Sequence, residues 1–228
     1  MNETTTEKRT FFAAVLTVIC IFCFGQCPGS IDAAIAKIAA YFALSSSSAL
    51  YIVTISSVVS VLSGLAVGFI AGKKIGFRQV ILFCAFMELL GGTLPYFSNS
   101  FPVLLALRAI HGIGIGGMMS LENAIASLLV PAHSRAKVLG IATFFGFGTN
   151  CILQFLGGIF ADISWQCVFL VHILLVIPFI LLLIFCPAIP KIAPQANNDT
   201  AKGKLLNHAL WSLCVIMALI ACFISPLL

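Results

Sequence analysis

Long apolar runs separated by short polar segments organise this sequence. An α-helix needs about 20 apolar residues to cross a bilayer. Seven runs meet this length: residues 11–36, with an alternative break at Pro28-Gly29, then 49–71, 79–97, 102–129, 138–160, 164–187 and 207–228. Most connections are short, so consecutive helices must run antiparallel. The pattern predicts an all-α polytopic membrane protein with a tail at 1–10, a six-helix bundle at 11–189, a polar linker at 190–206 and a seventh transmembrane helix.

Composition supports lipid as the main solvent of this chain. Hydrophobic residues make up 61% of it and charged residues only 8%, against about 25% charged in soluble domains. The net charge of +5 is spread over several loops, which argues against a nucleic-acid partner. The nine cysteines lie scattered, mostly in apolar runs, and are expected to pack rather than bind metal. Without a phosphate-binding loop or a nucleophile with its base, we expect neither an enzyme nor a cofactor.

Lysine and arginine predict the orientation. With the N-terminus inside, the inner segments carry ten of the twelve basic residues, whereas the outer side carries only Lys37. This asymmetry satisfies the positive-inside rule. We therefore expect an integral protein of the bacterial plasma membrane, with a cytoplasmic N-terminus and an external C-terminus.

The second run places a small residue at every fourth position. These residues form one stripe on a helix: Ser56, Ser60, Gly64, Gly68 and Gly72. In lipid, such a stripe allows the backbone of another helix to approach closely. It predicts a tight helix–helix contact, either static or rearranging during a transport cycle.

Ionisable residues within apolar runs are the first candidate functional groups, because a charge at bilayer depth usually faces a cavity or a partner. In the fourth run, helical geometry puts five residues on one side: Arg108, His111, Ile115, Met119 and Glu122. The candidates for transport or coupling are Arg108, His111, Glu122, Asp32 and Glu88. The alternative is an internal network in which these groups only pair with other helices.

Three amide side chains are candidates for lining a cavity. Asn150 and Gln154 are four residues apart and share a helix face, and Gln26 lies in the first run. Amides suit a sugar or another amide, and they equally suit a bond to a neighbouring helix. The substrate and the direction of transport stay open at this stage.

Three ordered features resemble the N-terminal half of the major facilitator superfamily, and within it the drug:proton antiporter and sugar-efflux branches. They are a basic inner loop beginning at Gly68, the run "RAIHGIG" at 108–114, and "GGIFADISWQCVFLVHI" at 157–173. The resemblance spans about residues 11–187. It implies two three-helix repeats, a central cavity shared with a second six-helix bundle, and alternating access by rocking.

The inner loop departs from the pattern of this family. Its gating-loop candidates are Gly68, Gly72, Lys73, Gly76 and Arg78. Gly72 stands where the family carries an aspartate, and the later glycine, Gly76, is one place late. Leu153-Gln154 also replaces a Gly-Pro pair that the antiporters carry in the fifth span. Membership is therefore expected, while coupling to protons is left open.

The favoured function is secondary active transport of a small solute, as an efflux permease working by alternating access. Members of the family have about twelve spans, so we expect an incomplete or split chain that works with a complementary half or by self-association. The alternatives are a truncated product without transport, and a membrane protein that binds or senses a solute. The expected partners are the bilayer and a small-molecule solute.

Overall fold

Long helices connected by tight turns form the structure, a computed structural model that describes residues 3–26 and 31–189. These residues lie within the first of two units into which the chain divides, Met1–Ile192 and Ala193–Leu228. The predicted linker at 190–206, the predicted seventh span at 207–228 and the Pro28-Gly29 break lie outside the described residues. The fold is all-α, as predicted.

Eight α-helices and three short 3-10 segments make up the described chain. The helices are α1 (Glu3–Gly25), α2 (Ile35–Tyr41), α3 (Ser46–Ala49), α4 (Tyr51–Ile70), α5 (Phe77–Thr93), α6 (Phe101–Leu129), α7 (Ala132–Ile163) and α8 (Val176–Phe185). The 3-10 segments are Asp32–Ala34, Leu94–Phe97 and Cys167–Leu175.

Six of these helical stretches are long and apolar enough to cross a membrane. They are Glu7–Gly25, Ser47–Ile70, Phe77–Phe97, Phe101–Leu129, Ala132–Ile163 and Cys167–Phe185. The six spans predicted between residues 11 and 189 are thereby confirmed in number. The fifth is longer than predicted at both ends, because 132–137 continue the helix despite their polar side chains.

The longer of the two predictions for the first span, a single helix to residue 36, was wrong. Helix α1 ends at Gly25 rather than near residue 36, and helical structure resumes separately at Asp32 and Ile35. Gly25 and Pro28 explain the end, since glycine disfavours a helix interior and proline removes a backbone donor. Asp32, which was expected near bilayer depth, therefore lies outside the spanning helices.

Helix α6 packs against more of the bundle than any other described helix does. It packs most extensively against α4 and α5, and it also contacts α1, which in turn packs against α7. The larger apolar core includes Ile21, Ile81 and Leu121, from α1, α5 and α6. A smaller core with Trp165 and Phe169 lies at the end where α7 meets the following 3-10 segment.

The small-residue stripe of α4 contacts α6 along only part of its length. A Cβ added at Gly112 would overlap the backbone oxygen of Ser56, and one at Gly116 would overlap that of Ser60. A Cβ at Gly64 would lie 3.1 Å from the Gly116 oxygen, a tight contact.

The two remaining glycines of the stripe correct the prediction. No atom of the described residues lies within 4 Å of a Cβ added at Gly68. Gly72 has left the helix for the following turn, where its φ of 74° requires glycine. The close contact therefore involves Ser56, Ser60 and Gly64 but not Gly68 or Gly72.

Candidate functional site

The polar face predicted on α6 exists and is buried. Arg108, His111 and Glu122 are each less than a tenth exposed, although all three carry ionisable side chains. Ile115 is buried with them, as expected. Met119 is half exposed, and its Cγ would lie 3.4 Å from a Cβ added at Gly25, next to Glu122.

Gln26 and Glu122 meet between α1 and α6. The Gln26 Nε2 donates to both carboxylate oxygens of Glu122, at 3.2 Å and 3.4 Å. Gly25 makes this approach possible, because a Cβ there would overlap the Glu122 Oε1 atom. Two candidates separated by 96 residues thus form one pair, in which the amide supplies the carboxylate with a donor in an apolar setting.

Glu88 is fully buried between α5 and α6. A Cβ at Gly114 would overlap the Glu88 Cβ, so that glycine allows the two helices to meet at this level. Neither carboxyl oxygen of Glu88 has a hydrogen-bond partner among the described residues. A buried carboxyl group without a partner carries a large desolvation cost if it is charged.

His111 is joined by a second buried histidine that sequence reasoning missed. His172, in the 3-10 segment Cys167–Leu175, packs edge-on against His111, with ring centroids 5.0 Å apart. The Nδ1 of His111 lies 3.4 Å from the Ser56 hydroxyl. The ring of His172 fits only because Gly92 leaves space for it. Between Cys167 and Phe185, His172 is the only side chain with a nitrogen or oxygen atom, and that isolation was the available signal.

Arg108 is 1% exposed, and its Nε and Nη1 have no hydrogen-bond partner within residues 3–26 and 31–189. The only ion pair in those ranges joins Lys37 to Asp162. Asp32 is nevertheless close enough to Arg108 for an electrostatic interaction. Partial burial raises the pKa of Asp32, and the positive charge of Arg108 opposes that rise. Arg108 therefore lies near carboxyl groups without touching one of those described.

The amides of α7 stay apart from this cluster. Gln154 donates to Asn150 at 3.3 Å, so the two predicted cavity residues satisfy each other in part. Gln154 is exposed and Asn150 is half-buried, on a helix that is mostly exposed. The structure joins Gln26 to the buried cluster, whereas Asn150 and Gln154 lie on a separate face.

The basic loop after α4 folds into a tight turn. The Gly72 amide donates to the Ile75 oxygen at 2.8 Å, and α5 begins directly after Gly76. Lys73 is exposed, and the Arg78 Nη2 donates to the Leu183 oxygen at 3.0 Å near the end of α8. The loop thus joins the ends of three helices at one side of the bundle.

A polar contact at the opposite side was not predicted. The Lys37 Nζ donates to the Ala161 oxygen at 2.6 Å and to the Asp162 Oδ1 at 3.1 Å. This contact ties α2 to the C-terminal end of α7. It gives Lys37, the one basic residue expected on the outer side, a structural role there.

The sequence of this chain is similar to those of known membrane transporters. The sequence model of the Major Facilitator Superfamily matches residues 12–228. The chain is 32% identical over 125 residues to Multidrug resistance protein 3 of Bacillus subtilis, a match that covers 53% of this chain and 24% of that protein. It is 34% identical over 100 residues to the MFS-type efflux transporter phmH of Phaeosphaeria nodorum, covering 43% of this chain and 18% of that protein.

Among solved structures, the crystal structure of a D-xylose-proton symporter superposes with a TM-score of 0.59 at 20% identity. That match covers 89% of this chain and 53% of the symporter. At this identity it shows a shared fold. The chain thus spans about half of that structural neighbour, and its matched segments span a quarter or less of the two curated relatives.

Proposed function

This chain belongs to the major facilitator superfamily, and from that premise we propose that it is a secondary active transporter, an efflux permease that moves a small solute by alternating access. The observation that carries this proposal is the buried polar cluster of Arg108, Glu88 and His111 inside a bundle of membrane-length helices. Ionisable groups at bilayer depth are costly, and they mark solute or ion pathways. The names of the two curated relatives, a multidrug resistance protein and an efflux transporter, favour the efflux direction.

A second six-helix unit is part of the proposal. In an apolar 18-residue stretch of the α4 and α7 spans, only 11% and 22% of residues are buried, against 33–50% in the corresponding stretches of the other four. On α7, a Cβ added at Gly140, Gly148 or Gly158 would have no neighbour within 4 Å in the part of the chain that the structure describes. Exposed faces of this kind are suited to close contact with further helices. The partner is either a complementary half or a second copy of this chain, and rocking of the two units about the shared cavity would alternate access.

The orientation in this proposal follows from charge. The turn with Lys73, Lys74 and Arg78 lies inside, with the N-terminus, and Lys37 lies outside, in a bacterial plasma membrane. A topology reporter inserted after Lys73 should report the cytoplasm, and one inserted after Ser45 should report the outside. The reverse pattern would refute this orientation.

Coupling to protons is assigned to the carboxyl and imidazole groups around Arg108. Glu122, Glu88, His111 and Asp32 supply the titratable groups, and the positive charge of Arg108 opposes the rise in the pKa of Asp32. In an antiporter, proton binding at such groups and solute binding exclude each other, which couples the two fluxes. No bound cofactor is required for this step.

Inside-out membrane vesicles test the proposal. With the vesicle interior acidified, labelled solutes should accumulate inside in a saturable manner, and a protonophore should abolish the accumulation. Arg108→Gln should lose gradient-driven accumulation. Arg135→Gln is the matched control, because Arg135 bonds only to the Ser127 and Val130 carbonyls in the chain described. Accumulation that ignores the proton gradient would refute the coupling, and normal accumulation by Arg108→Gln would remove Arg108 from the mechanism.

A further inference from the structure

A small polar cavity lies between α4 and α6 beside Arg108. Its volume is about 40 Å³. Its lining consists of three serines, one arginine and two aliphatic residues: Ser56, Ser57, Ser60, Arg108, Val53 and Ile115. Ser57 is exposed, whereas Ser56 and Arg108 are buried. The cavity therefore opens on the exposed side of α4 and has a cationic group in its wall.

The positive charge in this wall has no direct counterion among the described residues. An arginine does not lose its proton in a protein, so the charge must be balanced where it lies. Asp32 and Glu88 are near it, yet neither lines the cavity and neither forms an ion pair with Arg108. The Nε and Nη1 donors of Arg108 have no acceptor within the described ranges. These two atoms are buried, so what Arg108 gives to the wall of the cavity is a full positive charge without a direct counterion among the described residues.

The serine hydroxyls complete a set of donors. Ser57 donates to the Val53 oxygen at 3.0 Å, and Ser60 donates to the Ser57 oxygen at 2.8 Å. Both bonds lie within one helix and are made by rotatable hydroxyls, which can turn toward an incoming acceptor. Ser56 is engaged with His111 at 3.4 Å. A guanidinium flanked by hydroxyls matches an oxyanion, because charge-assisted hydrogen bonds to such a group are short and strong.

The size of the cavity restricts what enters. One water needs roughly 10–15 Å³ of cavity. The cavity of about 40 Å³ therefore has room for a group of three or four heavy atoms but not for a ring. A carboxylate fits, with the rest of its molecule outside the mouth next to Ser57. The aliphatic walls formed by Val53 and Ile115 would contact the carbon that carries the carboxylate.

We propose that this cavity binds the carboxylate group of the transported solute, so that the substrates are small organic acids. The inference rests on the proposed transport function, whose substrate it specifies. Arg108 holds the carboxylate, Ser57 and Ser60 orient it, and the exposed side of α4 receives the rest of the solute. Binding at this place also brings the anion close to Asp32 and Glu88, the two acidic residues that lie near Arg108 without forming an ion pair with it.

Binding of acetate to the purified full chain in nanodiscs tests this proposal without any transport measurement. Sodium acetate replaces sodium chloride at constant ionic strength, and acetamide is the neutral analogue of the same shape. Acetate should raise the unfolding temperature in a saturable way, and acetamide should leave it unchanged. Arg108→Gln should weaken the acetate effect at least tenfold, and Ser57→Ala combined with Ser60→Ala should weaken it severalfold. Arg135→Gln should respond to acetate as the parent chain does.

The possible results separate the two proposals. An acetate effect that survives Arg108→Gln, an equal effect of acetamide, or chloride that binds as tightly as acetate would each overturn the assignment of a carboxylate site. A chain that transports neutral solutes but does not bind acetate would overturn the inference and leave the transport function intact. Acetate binding that depends on Arg108, in a chain without solute flux, would support the inference and refute the transport proposal.

Discussion

The contact between α4 and α6 makes a quantitative prediction about two glycines. Gly116, on α6, lies so close to the Ser60 backbone oxygen that an added Cβ would overlap it. A Cβ added at Gly68, on α4, would have no described atom within 4 Å. The stripe in the sequence predicted that Gly68 takes part in the contact, and in the structure it does not. Substitutions at Gly116 and Gly68 therefore test the structure against the sequence pattern. Gly116→Ala should destabilise the bundle, and Gly68→Ala should stabilise it slightly.

The magnitudes follow from packing and from helix propensity. Overpacking of a close contact costs about 1–3 kcal/mol, and the upper end applies because a backbone oxygen cannot rotate away from the new methyl group. Alanine in place of glycine returns about 1 kcal/mol of helix propensity. Gly116→Ala should therefore lose about 2 kcal/mol of unfolding free energy. Gly68→Ala should gain up to about 1 kcal/mol.

Equilibrium unfolding in mixed micelles, followed by the fluorescence of Trp165 in a Trp211→Phe background, measures both variants. Trp165 is buried in the smaller core, so its emission reports loss of the folded bundle. Gly140→Ala is a second control, since that α7 glycine also has nothing within 4 Å. Equal losses for Gly68→Ala and Gly116→Ala, or no loss for Gly116→Ala, would refute the described contact.

Three further predictions concern polar groups. Gln26→Leu should lower the unfolding free energy by about 1–3 kcal/mol, because it leaves the buried Glu122 carboxylate without its donor; an unchanged melting temperature would contradict the pair. Asp162→Asn should cost less than about 1 kcal/mol, since its pair with Lys37 is exposed, and a loss that persists in 1 M salt would contradict a surface ion pair. Burial raises the pKa of Asp32, so the folded state favours its protonated form and stability is lost as pH rises through that pKa. Asp32→Asn should therefore melt higher than the parent at pH 7 with the difference fading toward pH 4, and a pH-independent difference would contradict it.

Sequence reasoning succeeded where geometry is local. The length of an apolar run predicts a span because lipid thickness is nearly constant, and six spans are present. Within α6 the angular position of each residue is known from its number, so Arg108, His111 and Glu122 were correctly placed on one buried face. Met119 was placed on the same side and is half exposed, which shows the limit: how much of a face is buried depends on which helices cover it.

Contacts between helices could not be predicted in the same way. The partner of Glu122 is Gln26, 96 residues away, and nothing local connects them. The contact of His172 with His111 depends on Gly92, which leaves space for the His172 ring. The sequence does not show that the 3-10 segment Cys167–Leu175 packs against this glycine. Gly68 fits the stripe as well as Gly64 does, yet no described atom lies within 4 Å of a Cβ added there, while the neighbouring Val67 still contacts α6 beside Gly117. In each case the answer depends on crossing geometry, which hydrophobic periodicity does not contain.

Counterflow in proteoliposomes tests the central claim most directly, because exchange across the membrane needs no energy source and no assumed coupling. Vesicles containing the chain, reconstituted alone and with a complementary six-helix unit, are loaded with unlabelled solute and diluted into the labelled form, using a panel of small organic acids and their amides. The account predicts saturable, transient accumulation of at least one acid that is absent in Arg108→Gln and retained in Arg135→Gln. Correctly inserted protein that exchanges no solute above protein-free vesicles, in either assembly, would contradict it.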